Sequence, residues 1–464
     1  MTMIPNSNEA RDIAYHFHAY TDARKHEATT PLIIDRAEGA YVYDSNGKRY
    51  LEGMAGLWSV AVGFGERRLV QAAARQMERL SFGHNFTSRT HMPAIDLAEK
   101  LVEIAPVPMS KVFFTNSGSE ANDTAIKMIW YRSNALGQSQ RKKLIARERA
   151  YHGVTLASGS LTAFSYNHES FDMPIANVLR TGSPHFWRDA EPGESEEDFA
   201  SRRANELEKL ILDEGPETIA AFFGEPVLGA GGVVVPPRTY WEKIQAVLRK
   251  YDILLVADEV VCGFGRTGNM FGSQTYDIKP DIMVLSKALS SSYLPISALL
   301  VNDKVYQPIA DESHRIGTFG HGFTGGAHPV AAAVALENIA VIEDRDLVGN
   351  ASRVGQYLRD GLQRFSDHPL VGEVRGVGLV AAVELFKQNF PNAAGLKNGE
   401  LGAKANAYLA EEGVLLRAAV DALTICPPLT ITVGDADFLI EKIGKVLIFF
   451  SSRRRHTRFD CDWS

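Results

Sequence analysis

The sequence predicts an α/β fold: a large domain built on a mostly parallel sheet, joined to a smaller α+β domain. Three observations predict it. From about residue 61, short continuous apolar runs alternate with stretches of helical period, the pattern of a sheet covered by helices. After about residue 330 that alternation gives way to two long helices followed by strands, an α+β texture. The 464 residues, 45% hydrophobic and 23% charged, suffice for two domains and a large core.

Residues 38–53, EGAYVYDSNGKRYLEG, read as a hairpin: Tyr41, Val42 and Tyr43 meet the turn signal Asn46-Gly47 before Tyr50 and Leu51. We expect this N-terminal segment, residues 1–60, to pack with the small domain. The large domain, 61–329, opens with helical periods over Leu69–Leu80 and Ala94–Ile104. Its buried strands include Lys111–Thr115, Ala220–Gly224, Ile253–Ala257 and Ile282–Leu285, continuous apolar runs suited to a sheet covered on both faces. The small domain, 330–450, begins with helices Ala331–Glu343 and Leu347–Phe365. A strand over Val377–Glu384, a helix near Gly402–Glu412, strands Val414–Ala418 and Leu423–Cys426, and a closing helix Asp435–Leu447 follow. Residues 451–464 have no apolar period and crowd four arginines into a short span. They resemble translated adapter DNA and are expected to form a non-native tail outside the fold.

The net charge of −7 argues against nucleic acid or an anionic membrane as a partner. Three cysteines, Cys262, Cys426 and Cys461, make no disulfide framework and suggest a reducing compartment. No signal-peptide pattern and no membrane-length apolar run is present, so a cytoplasmic enzyme is expected. No Cys or His spacing matches a metal-ligand motif, and no metal is expected.

Two charged residues stand where apolar strands end. One strand runs into Asp258-Glu259 and then a glycine-rich loop; the next runs into Lys287. Ligands of open α/β sheets bind beyond the carboxyl ends of the strands, so both side chains can face one crevice. A buried salt bridge is one reading, but such pairs are costly. A Schiff-base lysine is the other: pyridoxal phosphate needs such an amine, and an acidic partner for its pyridinium nitrogen. Its phosphate needs backbone N–H groups at a helix start, and Ser117-Gly118-Ser119, between a strand and a helical run from Glu120, supplies them. Its ring needs an aromatic face, which Tyr151 in Ala150-Tyr-His-Gly153 offers.

With these features in order, the chain resembles the class III, fold-type I pyridoxal-phosphate-dependent aminotransferases, in particular the amine– and ω-amino acid–pyruvate transaminases. The resemblance runs from about Asn6 to Leu447 and rests on NSGSEAND, AYHG, GEPVLGAGGV, VADEVVCGFGRTG, VLSKALSSS and GHGFTGGAHP. It implies that Lys287 holds the cofactor and shuttles the proton while Asp258 pairs with the ring nitrogen. Val260, on the same strand face as Asp258, and Tyr151 would cover the two ring faces. Ser117, Gly118 and Ser119 would take the phosphate, with His152 and Glu225 beside the cofactor. Thr324 would reach the phosphate of a neighbouring subunit, which implies a homodimer or a dimer of dimers. Trp58, Phe86, Tyr151, Ala230 and Arg417 would bind substrate, Arg417 by swinging in to grip a carboxylate. The implied reaction moves an amino group from an amine donor to a keto acid, pyruvate above all, with alanine and an aldehyde or ketone as products. Transfer from 4-aminobutyrate or another ω-amino acid to 2-oxoglutarate, a decarboxylase or aminomutase, and a non-enzymatic cofactor-binding protein remain as alternatives. One departure stands out: Ala-Leu-Ser-Ser-Ser-Tyr follows Lys287, where many members carry a glycine.

Overall fold

The computed structural model describes residues 5–385 and 397–451. At the N-terminus, β1 (Ile34–Glu38), β2 (Tyr41–Asp44) and β3 (Arg49–Glu52) form a meander. Its second turn is the one expected at Asn46-Gly47: the Asp44 carboxylate accepts from the amides of Asn46 and Lys48, both at 2.9 Å.

Seven strands make the central sheet: β4 (Lys111–Thr115), β5 (Lys143–Arg147), β6 (Val178–Thr181), β7 (Ile219–Gly224), β8 (Leu254–Asp258), β9 (Ile282–Leu285) and β10 (Ser297–Val301). Their order is β4-β10-β9-β8-β7-β5-β6. Every pairing is parallel except the two made by β10, which runs against β9 and β4. The stretch 286–296 that leads into β10 holds only a short 3-10 turn, too little for the helical crossover a parallel return requires. All residues of β7, β8, β9 and β10 are buried, the reason these strands read as unbroken apolar runs.

Helices cover this sheet. Arg67–Arg79 buries Leu69, Ala72 and Gln76 along one stripe, and Glu66 caps it by accepting from the Arg68 amide at 3.1 Å. Met92–Ile104 starts with Pro93 in its first turn, where a missing N–H costs nothing. Both pack on the long helix Pro329–Asp344.

The last sheet has the order β11-β12-β15-β14, from β11 (Val371–Val377), β12 (Val380–Leu385), β15 (Ala422–Ile425) and β14 (Arg417–Ala419). The expected single strand Val377–Glu384 is in fact the second arm of a hairpin turning at Gly378, with Val377 opposite Val380. The expected strand Val414–Ala418 also divides. Its first part, β13 (Val414–Leu415), pairs in parallel with β3, and the chain then crosses at Leu416 to the other sheet. The side chain of Leu416 presses on Gly53, where a Cβ would lie 2.4 Å from it. The N-terminal meander and the C-terminal part of the chain thus share a sheet. The closing helix, Val433–Ser451, outruns its expected end at Leu447, and the remainder of the tail lies outside the described residues. Among the described residues no helix is long and apolar enough to cross a membrane.

The β11–β12 turn is pressed against the glycine-rich loop that follows β8. Buried Arg266 donates to the carbonyls of Leu379 at 2.9 Å and Pro427 at 2.6 Å, and its own carbonyl accepts from the Leu379 amide at 3.0 Å. Gly378 sits at φ +53°, and a Cβ there would lie 2.3 Å from the carbonyl carbon of Thr267 and 2.4 Å from the oxygen of Arg266. Neither backbone atom can move without opening this junction. We expect Gly378→Ala to lower the stability measured by urea unfolding by about 1–3 kcal/mol; an unchanged unfolding midpoint would show that the junction yields.

Candidate active site

The parallel register of β8 with β9, Asp258 opposite Val284, brings the carboxyl ends of both strands to one edge of the sheet. Asp258 is the last residue of β8, and Lys287 follows β9 by two positions.

Asp258 is 2% exposed, and three neighbours orient its carboxylate while one oxygen keeps acceptor capacity to spare. One carboxylate oxygen accepts from Asn122 Nδ2 at 2.9 Å and lies 2.7 Å from His152 Nδ1; the other accepts from the Val260 amide at 3.1 Å. Asn122 also donates to the His152 carbonyl at 2.7 Å, tying the two partners together. Val260 does not continue the strand, as the sequence suggested. The strand ends at Asp258, whose carboxylate turns the chain by accepting from Val260, and the Val260 side chain comes to rest over Gly118, where a Cβ would lie 3.3 Å away.

Lys287 lies in a left-handed conformation, φ +47°, at the start of the 3-10 turn Lys287–Leu289. Such a backbone is uncommon for a residue with a side chain, and the surroundings hold it there. Burial depresses the lysine's pKa below the ordinary ammonium range, with Arg417 acting in the same direction and Asp258 and Glu225 opposing both. The serines that follow explain how this loop dispenses with glycine. Ser291 and Ser292 also take left-handed conformations, φ +50° and +56°. Buried Ser291 donates to Asn338 Oδ1 at 2.6 Å and accepts from the amides of Ala61 and Val62. Asn338 in turn donates to the carbonyls of Ala288 and Leu289 at 2.8 and 3.1 Å.

The helix Gly118–Ala135 begins beside this edge. Ser117 caps it by accepting from the Glu120 amide at 3.2 Å. The amides of Gly118 and Ser119 meet no acceptor among the described residues, so the helix start presents two free N–H donors. The Ser119 hydroxyl accepts from Val154 at 3.1 Å, and Gly153 fits only because it lacks a Cβ, which would sit 2.7 Å from that oxygen.

Both oxygens of buried Glu225 are taken by loop amides, Tyr151 at 3.1 Å and Gly229 at 2.9 Å, which fixes the loop that continues to Ala230. Burial holds the Glu225 carboxyl above its ordinary range. The Tyr151 phenol is raised as well, by burial and by a 3.4 Å contact with the hydroxyl of Tyr20, while the charge of Arg417 opposes the shift. Arg417 opens β14 and exerts the same influence on Tyr166. Its guanidinium has no carboxylate partner among the described residues.

Lys287, Asp258, Val260, His152, Tyr151, Glu225, Arg417 and the Ser117–Ser119 turn therefore gather at one edge. Trp58 is buried nearby in an apolar cluster with Met54, Val227 and Cys426. Phe86 and Thr324 are exposed, and Phe86 rests instead on Gly322 of the segment that carries Thr324. Sequence reasoning missed Asn122, although its place one helical turn after Gly118 was a usable signal. It also missed Tyr20, to which no local pattern points.

A compound with an anionic group, a basic ring nitrogen and a carbonyl carbon fits this edge. The free amides of Gly118 and Ser119 suit the anion, the buried carboxylate of Asp258 the ring nitrogen, and an amine shifted toward its neutral form the carbonyl carbon.

The family model "Aminotransferase class-III" matches residues 22–447. The chain is similar to the ω-transaminase of Pseudomonas jessenii solved in complex with PMP, at 57% identity and TM-score 0.93 over 95% of this chain and 98% of that one. A variant of that enzyme, W58M/F86L/R417L, engineered for asymmetric synthesis of enantiopure bulky amines, superposes equally well. A transaminase solved with L-alanine is 64% identical, TM-score 0.88, over 90% of this chain and 98% of that one. Among curated proteins, the chloroplastic gamma aminobutyrate transaminase 3 of Solanum lycopersicum is 50% identical over 90% of this chain and 80% of its own length.

Ser291→Ala would leave Asn338 Oδ1 and the amides of Ala61 and Val62 buried without their partner. We expect a loss of stability of about 1–3 kcal/mol by denaturant unfolding, together with faster hydrogen exchange at residues 286–292; unchanged values would mean that the lysine loop does not depend on this bond.

Proposed function

The chain belongs to the class III aminotransferases, which use pyridoxal phosphate, and from that premise we propose that it moves an amino group from an amine or ω-amino acid to pyruvate, yielding alanine and an aldehyde or ketone. The observation that carries this reading is Arg417. A guanidinium beside Tyr151 and Lys287, without an ion-pair partner among the described residues, is available to a substrate carboxylate, and its long stem lets it withdraw for an amine that has none. The similar transaminase solved with L-alanine supports the pyruvate–alanine pair. The tomato gamma aminobutyrate transaminase favours a second reading, in which 4-aminobutyrate or another ω-amino acid gives its amino group to 2-oxoglutarate.

In the proposed site, Lys287 would hold pyridoxal phosphate, Asp258 would pair with its ring nitrogen, Val260 and Tyr151 would pack on the ring, and the Ser117–Ser119 turn would take its phosphate. When bound, the cofactor accepts the electron pair left by deprotonation of the substrate carbon. Once the donor amine has replaced it on the cofactor, the freed Nζ of Lys287 would take that proton as general base and give it back as general acid, which its depressed pKa favours. Asn122 and His152 keep the Asp258 carboxylate oriented, and Glu225 anchors the Tyr151 and Ala230 loops. Trp58, Phe86 and Ala230 shape the substrate pocket. This chain carries tryptophan, phenylalanine and arginine at the three numbers altered in the variant made for bulky amines. The exposure of Phe86 and Thr324 supports a site completed by a second copy of the chain, hence at least a homodimer.

The domain division belongs to the same proposal. All strands of the central sheet come from between residues 61 and 329, and those of the sheet built on β11 from beyond 330. So does a cytoplasmic setting, supported by the free buried thiols of Cys262 and Cys426.

Lys287→Ala should lose all multiple-turnover activity, and borohydride reduction of the wild type followed by peptide mapping should place the cofactor on Lys287; another labelled lysine overturns the assignment. Asp258→Asn should retain cofactor but slow proton removal by orders of magnitude, since a charge-assisted hydrogen bond of about 1.5–3 kcal/mol or more is lost.

Arg417→Ala tests the specificity itself. We expect a strong rise in KM for pyruvate, with little change in the half-reaction of 1-phenylethylamine or in transfer to an aldehyde. Equal losses with both acceptors would make Arg417 a structural residue. With a fixed amine donor, glutamate formed from 2-oxoglutarate faster than alanine from pyruvate would favour the other acceptor.

A further inference from the structure

Three histidines and an aspartate meet in the N-terminal segment, away from the central sheet, although their spacing in sequence matches no metal-binding motif. Asp12 lies on the helix Asn8–Tyr15, His16 ends that helix one turn later, His18 follows in the extended chain, and His26 comes from the helix Ala23–Glu27. The chain doubles back between the helices, and all three rings close on one carboxylate. His16 Nδ1 lies 3.1 Å from Asp12 Oδ1, while His18 Nε2 and His26 Nε2 lie 2.8 and 3.2 Å from Oδ2. The ring centroids of His16 and His18, and of His18 and His26, are each 4.2 Å apart. The ligand atoms of Asp12, His16 and His18 all fall within 4.8 Å of one another. His26 Nε2 is buried and makes no hydrogen bond, despite pointing at the group. The histidines line a cleft of about 230 Å³.

Hydrogen bonding to Asp12 accounts for two of the rings. It does not account for a third imidazole whose buried nitrogen is aimed at the same oxygen without bonding to it. Zinc held by nitrogen and oxygen ligands at about 2.0–2.1 Å in a tetrahedron keeps those atoms roughly 3.3 Å apart, and His18 and His26 lie 2.8 and 3.2 Å from the one oxygen Asp12 Oδ2. We propose that Asp12, His16 and His18 form a binding site for a divalent transition metal, zinc fitting best, with His26 placed to add a fourth ligand. Imidazole donors favour zinc, nickel or copper over magnesium and calcium. Binding requires each ring to turn a lone pair inward: His16 carries its proton on Nε2, and His18 and His26 carry theirs on Nδ1. The site clamps the segment that delivers Tyr20, two residues past His18, to the hydroxyl of Tyr151. Asn167 Nδ2 holds the other side of the Tyr20 hydroxyl at 2.8 Å.

The test is zinc titration of the chelator-treated, dialysed holoenzyme against a fluorescent competing chelator, alongside His16→Ala and Asp12→Asn. His16 is largely exposed, so its substitution leaves the fold intact. We expect one equivalent of zinc per wild-type chain, and each variant to bind about tenfold or more weakly. Zinc should raise the melting temperature of the wild type but not of Asp12→Asn, and magnesium should do neither. A wild type without stoichiometric zinc, or variants that bind as tightly as it does, would overturn the site and leave Asp12 as a hydrogen-bonding staple.

Discussion

A carboxylate buried at the end of a strand costs several kcal/mol unless its oxygens are satisfied, and much of the architecture around β8 serves to satisfy Asp258. The helix after β4 supplies Asn122, the loop after β5 supplies His152, and the turn after β8 supplies the Val260 amide. Each donor reaches the carboxylate from a different element. The oriented charge therefore depends on the whole sheet order, with β8 near the centre between β7 and β9. The same three connections also present the Gly118 and Ser119 amides, the Tyr151 ring and the Val260 side chain to one space.

The lysine loop is the second constraint. Three residues, Lys287, Ser291 and Ser292, hold left-handed backbones that glycine would adopt at less cost. Hydrogen bonds from Ser291 and Asn338 compensate. Because Asn338 lies on the helix Pro329–Asp344, the lysine's position is tied to an element outside the central sheet. The Arg266 junction, where the glycine-rich loop meets the β11–β12 hairpin, makes a second tie. Acting together, they orient the sheet that bears Arg417 relative to the one that bears Lys287.

Electrostatics then separates the roles of the charged groups. Glu225 and Glu259 are both buried carboxyls held above their ordinary range by burial, Glu259 to about 7, and both have their oxygens occupied by backbone amides. They are anchors for loops. Lys287 is shifted toward its neutral form, and Arg417 has no carboxylate partner among the described residues, so an amine and a guanidinium are left for a ligand at this edge.

The sequence by itself determined the layered plan and the chemistry. Apolar runs at Ala220–Gly224 and Ile282–Leu285, the turn signal at Asn46-Gly47, and the order of the Ser117–Ser119 turn, Tyr151, Asp258 and Lys287 are local patterns, and local patterns survive in one dimension. It could not determine which strand runs backward, because β10 has the same unbroken apolar composition as its parallel neighbours and only the length of its connection decides its direction. Nor could it resolve Val414–Ala418, where one apolar run serves two sheets because Leu416 packs over Gly53. Asn122, Asn338 and Tyr20 act across 136, 47 and 131 positions of chain. The histidines around Asp12 belong to the same class: their spacing is uninformative, and only the fold of the segment turns three separate rings toward one carboxylate. Contacts of this kind are set by packing between elements, and packing is decided only when the elements meet.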